Sequence, residues 1–257
     1  IEYLIWQRHL ENESNPWQAR YLKIQVGRLK KFEEWAWKKV DANIFITKQD
    51  LQFYRQQKGN SIATALPCGL NGNEYQLNPV ESRRFDLVHL ASLDWLPNQQ
   101  GLEWFLNKVW PMIKAARPQT QVAIGGRDMP KSLYEKSEDG LNFYPKVEDA
   151  QAFIRSGKLA IIPLLAGSGM RIKLVEYLAM GQAAVSTEIG AEGIDIEDGR
   201  EAMLAKDAES FASAVVYLLE NDAARQAMEI AALQYFKEHF SNEQVGKELL
   251  KFYQTLL

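Results

Sequence analysis

Leu159–Leu165 (L-A-I-I-P-L-L) runs directly into Ala166–Gly181 (A-G-S-G-M-R-I-K-L-V-E-Y-L-A-M-G), and this junction decides the fold. The first part is an apolar run of strand length, and the second is a glycine-bearing loop that opens a helix. Ile172, Val175, Leu178 and Ala179 form the core face of that helix, while Lys173 and Glu176 share another face one turn apart. Gly167 and Gly169 let the backbone approach a ligand closely, and the first-turn N–H groups point outward as donors. Ligands of open α/β sheets bind at such places, beyond the C-terminal strand ends.

Outward from the junction the alternation repeats. Strands are expected at Asp86–Ala91, Thr120–Ile124, Leu141–Tyr144, Leu159–Pro163, Ala183–Ser186 and Ala202–Ala205. Helices are expected at Gln99–Ala116, Glu148–Arg155, Arg171–Met180, Ala208–Glu220, Ala223–His239 and Asn242–Leu257. Strands separated by helices give βαβ units, so the fold class is α/β: a Rossmann-like parallel sheet with helices on both faces. Upstream, Pro16–Val40 reads as one long helix with Tyr21, Ile24, Leu29, Phe32, Trp35 and Ala36 as its apolar stripe. Ala42–Ile46 and Ile62–Leu66 are short strands flanking a polar helix over residues 48–57. Asn71–Arg84 has no periodicity and reads as a linker. Two domains follow, one nearly whole and one represented only by its tail.

Composition narrows the function classes. The chain has 257 residues, 46% hydrophobic and 25% charged, which excludes disordered, collagenous and disulfide-scaffold classes. A net charge of −3 gives no footprint for nucleic acid. One cysteine, Cys68, allows no internal disulfide and suits a reducing cytoplasm. The apolar stretch Leu159–Met170 is shorter than the about 20 residues a membrane span needs. The opening I-E-Y-L-I-W lacks both an initiator Met and a signal-peptide pattern, which suggests a piece of a longer chain.

Arg171 and Lys173 lie in the first turn of the junction helix, where cations oppose the positive end of the macrodipole. An anion would resolve that conflict, and a diphosphate would satisfy a guanidinium fork, an ammonium and several N–H donors together. Glu176, one turn on, suits a ribose diol. The competing reading is a plain Lys173–Glu176 pair with Arg171 solvated. His89 reads as a core histidine, D-I-E-D at Asp195–Asp198 as a turn before Gly199, and Trp104, Phe105 and Trp110 as a helix core stripe. One cysteine and scattered histidines argue against a structural zinc site, so no metal ligands are assigned. The strand before Ser92–Asn98 (S-L-D-W-L-P-N) is not followed by G-x-G-x-x-G, and neither a P-loop nor a G-x-S-x-G elbow occurs.

The run Leu159–Gly193 (L-A-I-I-P-L-L-A-G-S-G-M-R-I-K-L-V-E-Y-L-A-M-G-Q-A-A-V-S-T-E-I-G-A-E-G) resembles the donor-site signature of family 4 glycosyltransferases, which have the GT-B fold. Val40–Thr47, Ala65–Asn71 (A-L-P-C-G-L-N), His89–Phe105 and Phe240–Tyr253 extend the likeness. The resemblance implies a truncated N-terminal acceptor domain at 1–70, a linker at 71–84, a nucleotide-sugar domain at 85–240, and a helix at 241–257 crossing back to the N-terminal domain. It implies a retaining, hexosyl-type transfer from a nucleotide-diphosphate sugar to the hydroxyl of a glycan, glycolipid or other acceptor. Arg171 and Lys173 then stabilise the leaving diphosphate, and no cofactor or metal is obligatory. Glu176 matches the second glutamate of the family's Glu-x7-Glu motif, and Ser168 stands at the first. Ser168, Gly169 and Met170 are therefore assigned to the sugar, Glu176 to the ribose, and Ser92, with Gln100, to places where relatives carry cations. Gly126, Arg127 and the backbone around Val147 are assigned to the base. The expected location is cytoplasmic, with a peripheral contact at the inner membrane face through the absent N-terminal region. The chain alone is expected to bind donor weakly and turn over little. A GT-B nucleotide-sugar epimerase and a non-catalytic nucleotide-sugar-binding module remain the alternatives.

Overall fold

The computed structural model describes residues 1–11, 13–57, 61–75, 83–134, 139–167 and 169–257. They form two compact units: Ile1–Pro67 with Lys247–Leu257, and Cys68–Gly246. These limits differ from boundaries at 70 and 240. Leu70 N–H donates to the Phe240 carbonyl and Leu70 C=O accepts from Asn242 N–H, so Cys68–Tyr75 and the start of the last helix join the larger unit.

The smaller unit holds α1 (Glu2–Glu11), α2 (Pro16–Trp37), β1 (Ala42–Phe45), α3 (Lys48–Gln56) and β2 (Ile62–Ala65). β1 and β2 pair in parallel, Ala42 opposite Ile62. Asn15 caps α2 ahead of Pro16 at the first helical position, and Thr47 caps α3, so each start follows from its cap residue. Tyr54 packs on Trp37 and Phe45 with ring centroids 5.4 and 5.0 Å away. The stripe of α2 is not a buried face: Tyr21, Ile24, Phe32 and Trp35 are all more than half exposed.

The larger unit contains β3 (Phe85–Leu90), α4 (Leu96–Trp104), a π turn (Phe105–Val109), α5 (Trp110–Ala116), β4 (Val122–Gly125), α6 (Lys131–Tyr134) and β5 (Leu141–Tyr144). It continues with α7 (Ala150–Arg155), β6 (Gly157–Ile162), α8 (Ile172–Ala179), β7 (Ala184–Thr187), β8 (Met203–Ala205), α9 (Ala208–Glu220) and α10 (Asp222–His239), and with the start of α11 (Asn242–Gln254). The six strands are all parallel, in the order β5-β4-β3-β6-β7-β8. The order reverses between β3 and β6, which makes their C-terminal ends the switch point.

Alternation along the strands supplies both faces of the sheet. Leu87, Leu159, Ile161 and Val185 pack with residues of α4, α5 and α9, whereas Val88, Ala160, Ile162 and Ala184 pack with α8 and α10. Strands covered on both faces read as continuous apolar runs, which is why L-A-I-I stands out in the sequence. The helix expected at Gln99–Ala116 is interrupted by the π turn. Pro111 has no N–H to donate and its ring crowds the preceding turn, so widening the helix just upstream relieves both problems.

α4 reaches the switch point by close backbone approach. A Cβ on Gly101 would lie 2.3 Å from the Pro163 carbonyl oxygen. Gly101→Ala should therefore destabilise the larger unit by about 1–3 kcal/mol, as overpacking against backbone does. Gly27→Ala in α2, where nothing lies within 4 Å of the new Cβ, should stabilise its helix by about 0.5–1 kcal/mol. Denaturant titration of both variants checks the contrast.

Candidate functional site

At the switch point β6 ends at Ile162, and after Pro163–Gly167 the chain enters α8 through Arg171. Arg171 is the N-cap, with extended φ and ψ and no side-chain capping bond among the described residues; Leu174 N–H turns back onto the Arg171 carbonyl at 3.0 Å. Lys173 and Glu176 follow in the first and second turns. Ser168 lies outside the described residues. Gly169 has φ +79°, and Met170 turns its side chain into the core beside α8.

Arg171 is neither solvated nor exposed. Its Nε donates to the Ile189 carbonyl at 3.3 Å and its Nη2 lies 3.6 Å from a Glu192 carboxylate oxygen. Gly167, at φ +140°, crosses directly over the guanidinium, since a Cβ there would come within 2.3 Å of Nη2. The arginine thus ties the glycine loop to the segment after β7. Sequence reasoning missed Glu192 as its partner, because the two lie far apart in the chain.

Lys173 is the unusual group. Its Nζ is buried and has no hydrogen-bond partner among the described residues, and no ion pair joins it to Glu176 there. Burial pulls the ammonium down from the ordinary lysine value to about 8. The Arg171 charge acts in the same direction, while Glu176 partly opposes both. Burial likewise raises the Glu176 carboxyl, against the Tyr75 hydrogen bond and the Lys173 charge. Tyr75 Oη donates to Glu176 Oε1 at 3.4 Å. The structure therefore groups Arg171, Lys173 and Glu176 electrostatically, and adds Tyr75 from the stretch read as a linker. The one aromatic residue in that polar stretch was the available signal.

A second wall comes from the loops after β3 and β4. Leu93 N–H donates to the Arg127 carbonyl at 2.8 Å and Ala91 N–H to Gly125 at 3.1 Å, so the loops run side by side. Arg127 Nη2 donates to Ser92 Oγ at 3.1 Å, and Ser92 Oγ donates to Asp94 Oδ1 at 2.6 Å. That hydrogen bond, with help from Arg127, lowers the Asp94 carboxyl. Gly126 lies against the Ala91 carbonyl, and Val147 packs its side chain on Gly125. Ser92, Gly126 and Arg127 are brought together, with the guanidinium largely exposed.

His89 is buried in β3. Its Nδ1 faces the Ile161 carbonyl at 3.1 Å and its Nε2 has no partner among the described residues. Burial, reinforced by the Lys173 charge, drops it to about 3, so it is a neutral imidazole at physiological pH. The Asp195–Asp198 stretch forms a turn: Asp198 Oδ1 accepts from Leu204 N–H at 2.7 Å, and Gly199 takes φ +81°. Among the described residues no cluster of three His, Cys, Asp or Glu could hold a metal ion, and no helix is long and apolar enough to cross a membrane.

Parallel order 3-2-1-4-5-6, with a glycine loop and helix N-terminus at the switch point, defines a Rossmann-like ligand-binding domain. The glycosyl transferases group 1 family matches residues 84–221, over half of the sequence, and the chain belongs to that family. It is 25% identical over 225 residues to an uncharacterized 44.6 kDa protein in the cps region of Klebsiella pneumoniae, covering 82% of this chain and 55% of that protein. It is 29% identical over 153 residues to a phosphatidyl-myo-inositol mannosyltransferase of Mycolicibacterium smegmatis, covering 57% of this chain and 39% of that one. The chain thus spans about half the length, or less, of these relatives. The Anabaena protein HepE, solved in complex with UDP, superposes with a TM-score of 0.71 at 13% identity, over 95% of this chain and 69% of HepE. The GT-B, Rossmann-like class expected from the sequence is the one observed.

A lysine depressed to about 8 has a stability signature. Between that value and the ordinary 10.5, the unfolded chain binds more protons than the folded one, so stability rises with pH. The cost of holding the charge at neutral pH is on the order of 3 kcal/mol. Denaturant titrations from pH 7 to 9.5 should show the wild type gaining on Lys173→Met across this window. At pH 7 the variant should be the more stable.

Proposed function

We propose that the chain binds the donor of a transferase that moves a hexosyl-type sugar from a nucleotide diphosphate to an acceptor hydroxyl, with retention. The observation that carries this reading is the buried Lys173 ammonium, which has no hydrogen-bond acceptor among the described residues, at the already positive N-terminal turn of α8. A phosphate oxygen there would take a charge-assisted bond from Nζ and others from the Ile172 and Lys173 amides at the start of α8. As the sugar–phosphate bond breaks, negative charge grows on the leaving diphosphate, and donors fixed in a dry site stabilise it most at that moment. Glu176 accepts from the ribose diol. Arg171, held by Ile189 and Glu192, contributes its charge and the shape of the glycine loop. Gly169 and Met170, through their amides, serve the sugar, while Arg127, Gly126, Ser92 and the Val147 backbone form the base side. The acceptor is a glycan, glycolipid or other hydroxyl compound met on the cytoplasmic side of the membrane through the rest of the protein.

UDP, the ligand of HepE, and GDP are the probes. Lys173→Ala should weaken diphosphate binding roughly tenfold or more with little effect on the nucleoside, since hydrogen bonds to charged groups contribute about 1.5–3 kcal/mol. Glu176→Ala should weaken uridine and UDP alike. Calorimetry at pH 8 in buffers of different ionisation enthalpy should also show proton uptake on UDP binding, lost in Lys173→Ala. Diphosphate affinity unchanged in Lys173→Ala would sink the assignment. For the complete protein, a sugar nucleotide converted without an acceptor indicates an epimerase. Donor binding with no turnover across an acceptor panel indicates a binding module.

A further inference from the structure

Tyr75 reaches the site from a segment with no other evident task. Its turn is tied down at several points. Leu70 is bonded on both sides to Phe240 and Asn242, Asn71 Oδ1 accepts from Asn73 N–H at 3.3 Å, and Gln151 Nε2 donates to the Glu74 carbonyl at 2.9 Å. Tyr75 N–H closes the 3₁₀ turn onto Gly72 at 3.2 Å, and its ring packs on the core beside α8. A phenol delivered by so fixed a turn is not free to swing aside. It occupies Oε1 of Glu176 and leaves Oε2 without a hydrogen bond among the described residues.

We infer that Tyr75 is a positioning residue for Glu176: its hydroxyl holds the carboxylate in orientation, so that the remaining oxygen accepts from a ligand hydroxyl. This rests on the donor reading above, which assigns Glu176 to the ribose. The electrostatics fit. Burial raises the Glu176 carboxyl, and among the described residues Tyr75 and Lys173 work against it. The other titratable groups in reach are Tyr177 on α8, which burial and the Glu176 charge keep protonated, and Glu74, whose charge acts on Tyr75. A carboxylate accepting one fixed hydrogen bond loses less orientational freedom when a second donor arrives. Tyr75 is thus a partner of the ligand in holding Glu176, not a competitor for it.

Tyr75→Phe keeps the ring and removes only the hydroxyl. In the ligand-free chain, the titration midpoint of the Glu176 side-chain carboxyl, followed by carbon-13 NMR, should move to higher pH in Tyr75→Phe. UDP affinity at pH 7 should fall roughly three- to tenfold, with a larger loss toward pH 5.5. In a Glu176→Gln background, the same substitution should leave UDP affinity unchanged, because the coupled partner is already gone. An unmoved midpoint, tighter UDP binding in Tyr75→Phe, or an equal loss in the Glu176→Gln background would each overturn the inference. If the wild-type chain binds no UDP, the donor reading fails instead, and the ligand-free midpoint still decides whether Tyr75 controls Glu176.

Discussion

A buried ammonium at the positive end of a helix is the constraint around which the rest of the site is organised. Desolvation and the α8 dipole both act against the Lys173 charge, and so does Arg171. Among the described residues Glu176 opposes them, from one turn away and without an ion pair. Folded proteins keep such a group only where neighbouring structure holds it in place. Here Leu174, Val175, Tyr177 and Leu178 are buried against the sheet, which fixes the rotation of α8 and with it the position of Lys173. The core face of one short helix thus sets the electrostatics of its other face.

Arg171 shows how a buried cation can hold backbone segments together. Its guanidinium lies against Gly167 and reaches Ile189 and Glu192, which ties the loop after β6 to the segment after β7. A side chain larger than glycine at 167 would meet both a positive φ and that guanidinium. The two demands select the same residue for independent reasons, which explains the glycine better than flexibility does.

Much of the larger unit was legible because its signals are local or periodic. Six apolar strand runs, the caps and the glycine loop each report on a few adjacent residues, and the parallel sheet follows from them. The pairings that complete the site are long-range. Tyr75 meets Glu176 across 101 positions and Arg127 meets Ser92 across 35, and no spacing rule links them. The linker reading of Asn71–Arg84, of which residues 76–82 lie outside the described ones, did not foresee the Tyr75–Glu176 hydrogen bond for this reason. A stretch without periodicity can still be held rigidly when its backbone bonds to another element, as Leu70 does to Phe240 and Asn242. The salt-bridge alternative for Lys173 and Glu176 failed differently. Their i, i+3 spacing allows a pair, but Glu176 takes its hydrogen bond from Tyr75, and Lys173 is buried without an acceptor among the described residues.

The stripe on α2 separates what periodicity reports from what burial requires. Tyr21, Ile24, Phe32 and Trp35 recur at helical spacing and the helix forms where they predict it, yet they stay exposed. Spacing specifies that one face is apolar. It does not specify which surface covers that face. In the larger unit the same kind of pattern is matched by a sheet whose strands alternate in register, so Val175 and Leu178 find Val88 and Ile162 waiting. Periodicity and burial coincide only where two elements supply complementary faces. That coincidence at α8 carries the buried lysine, and with it the site.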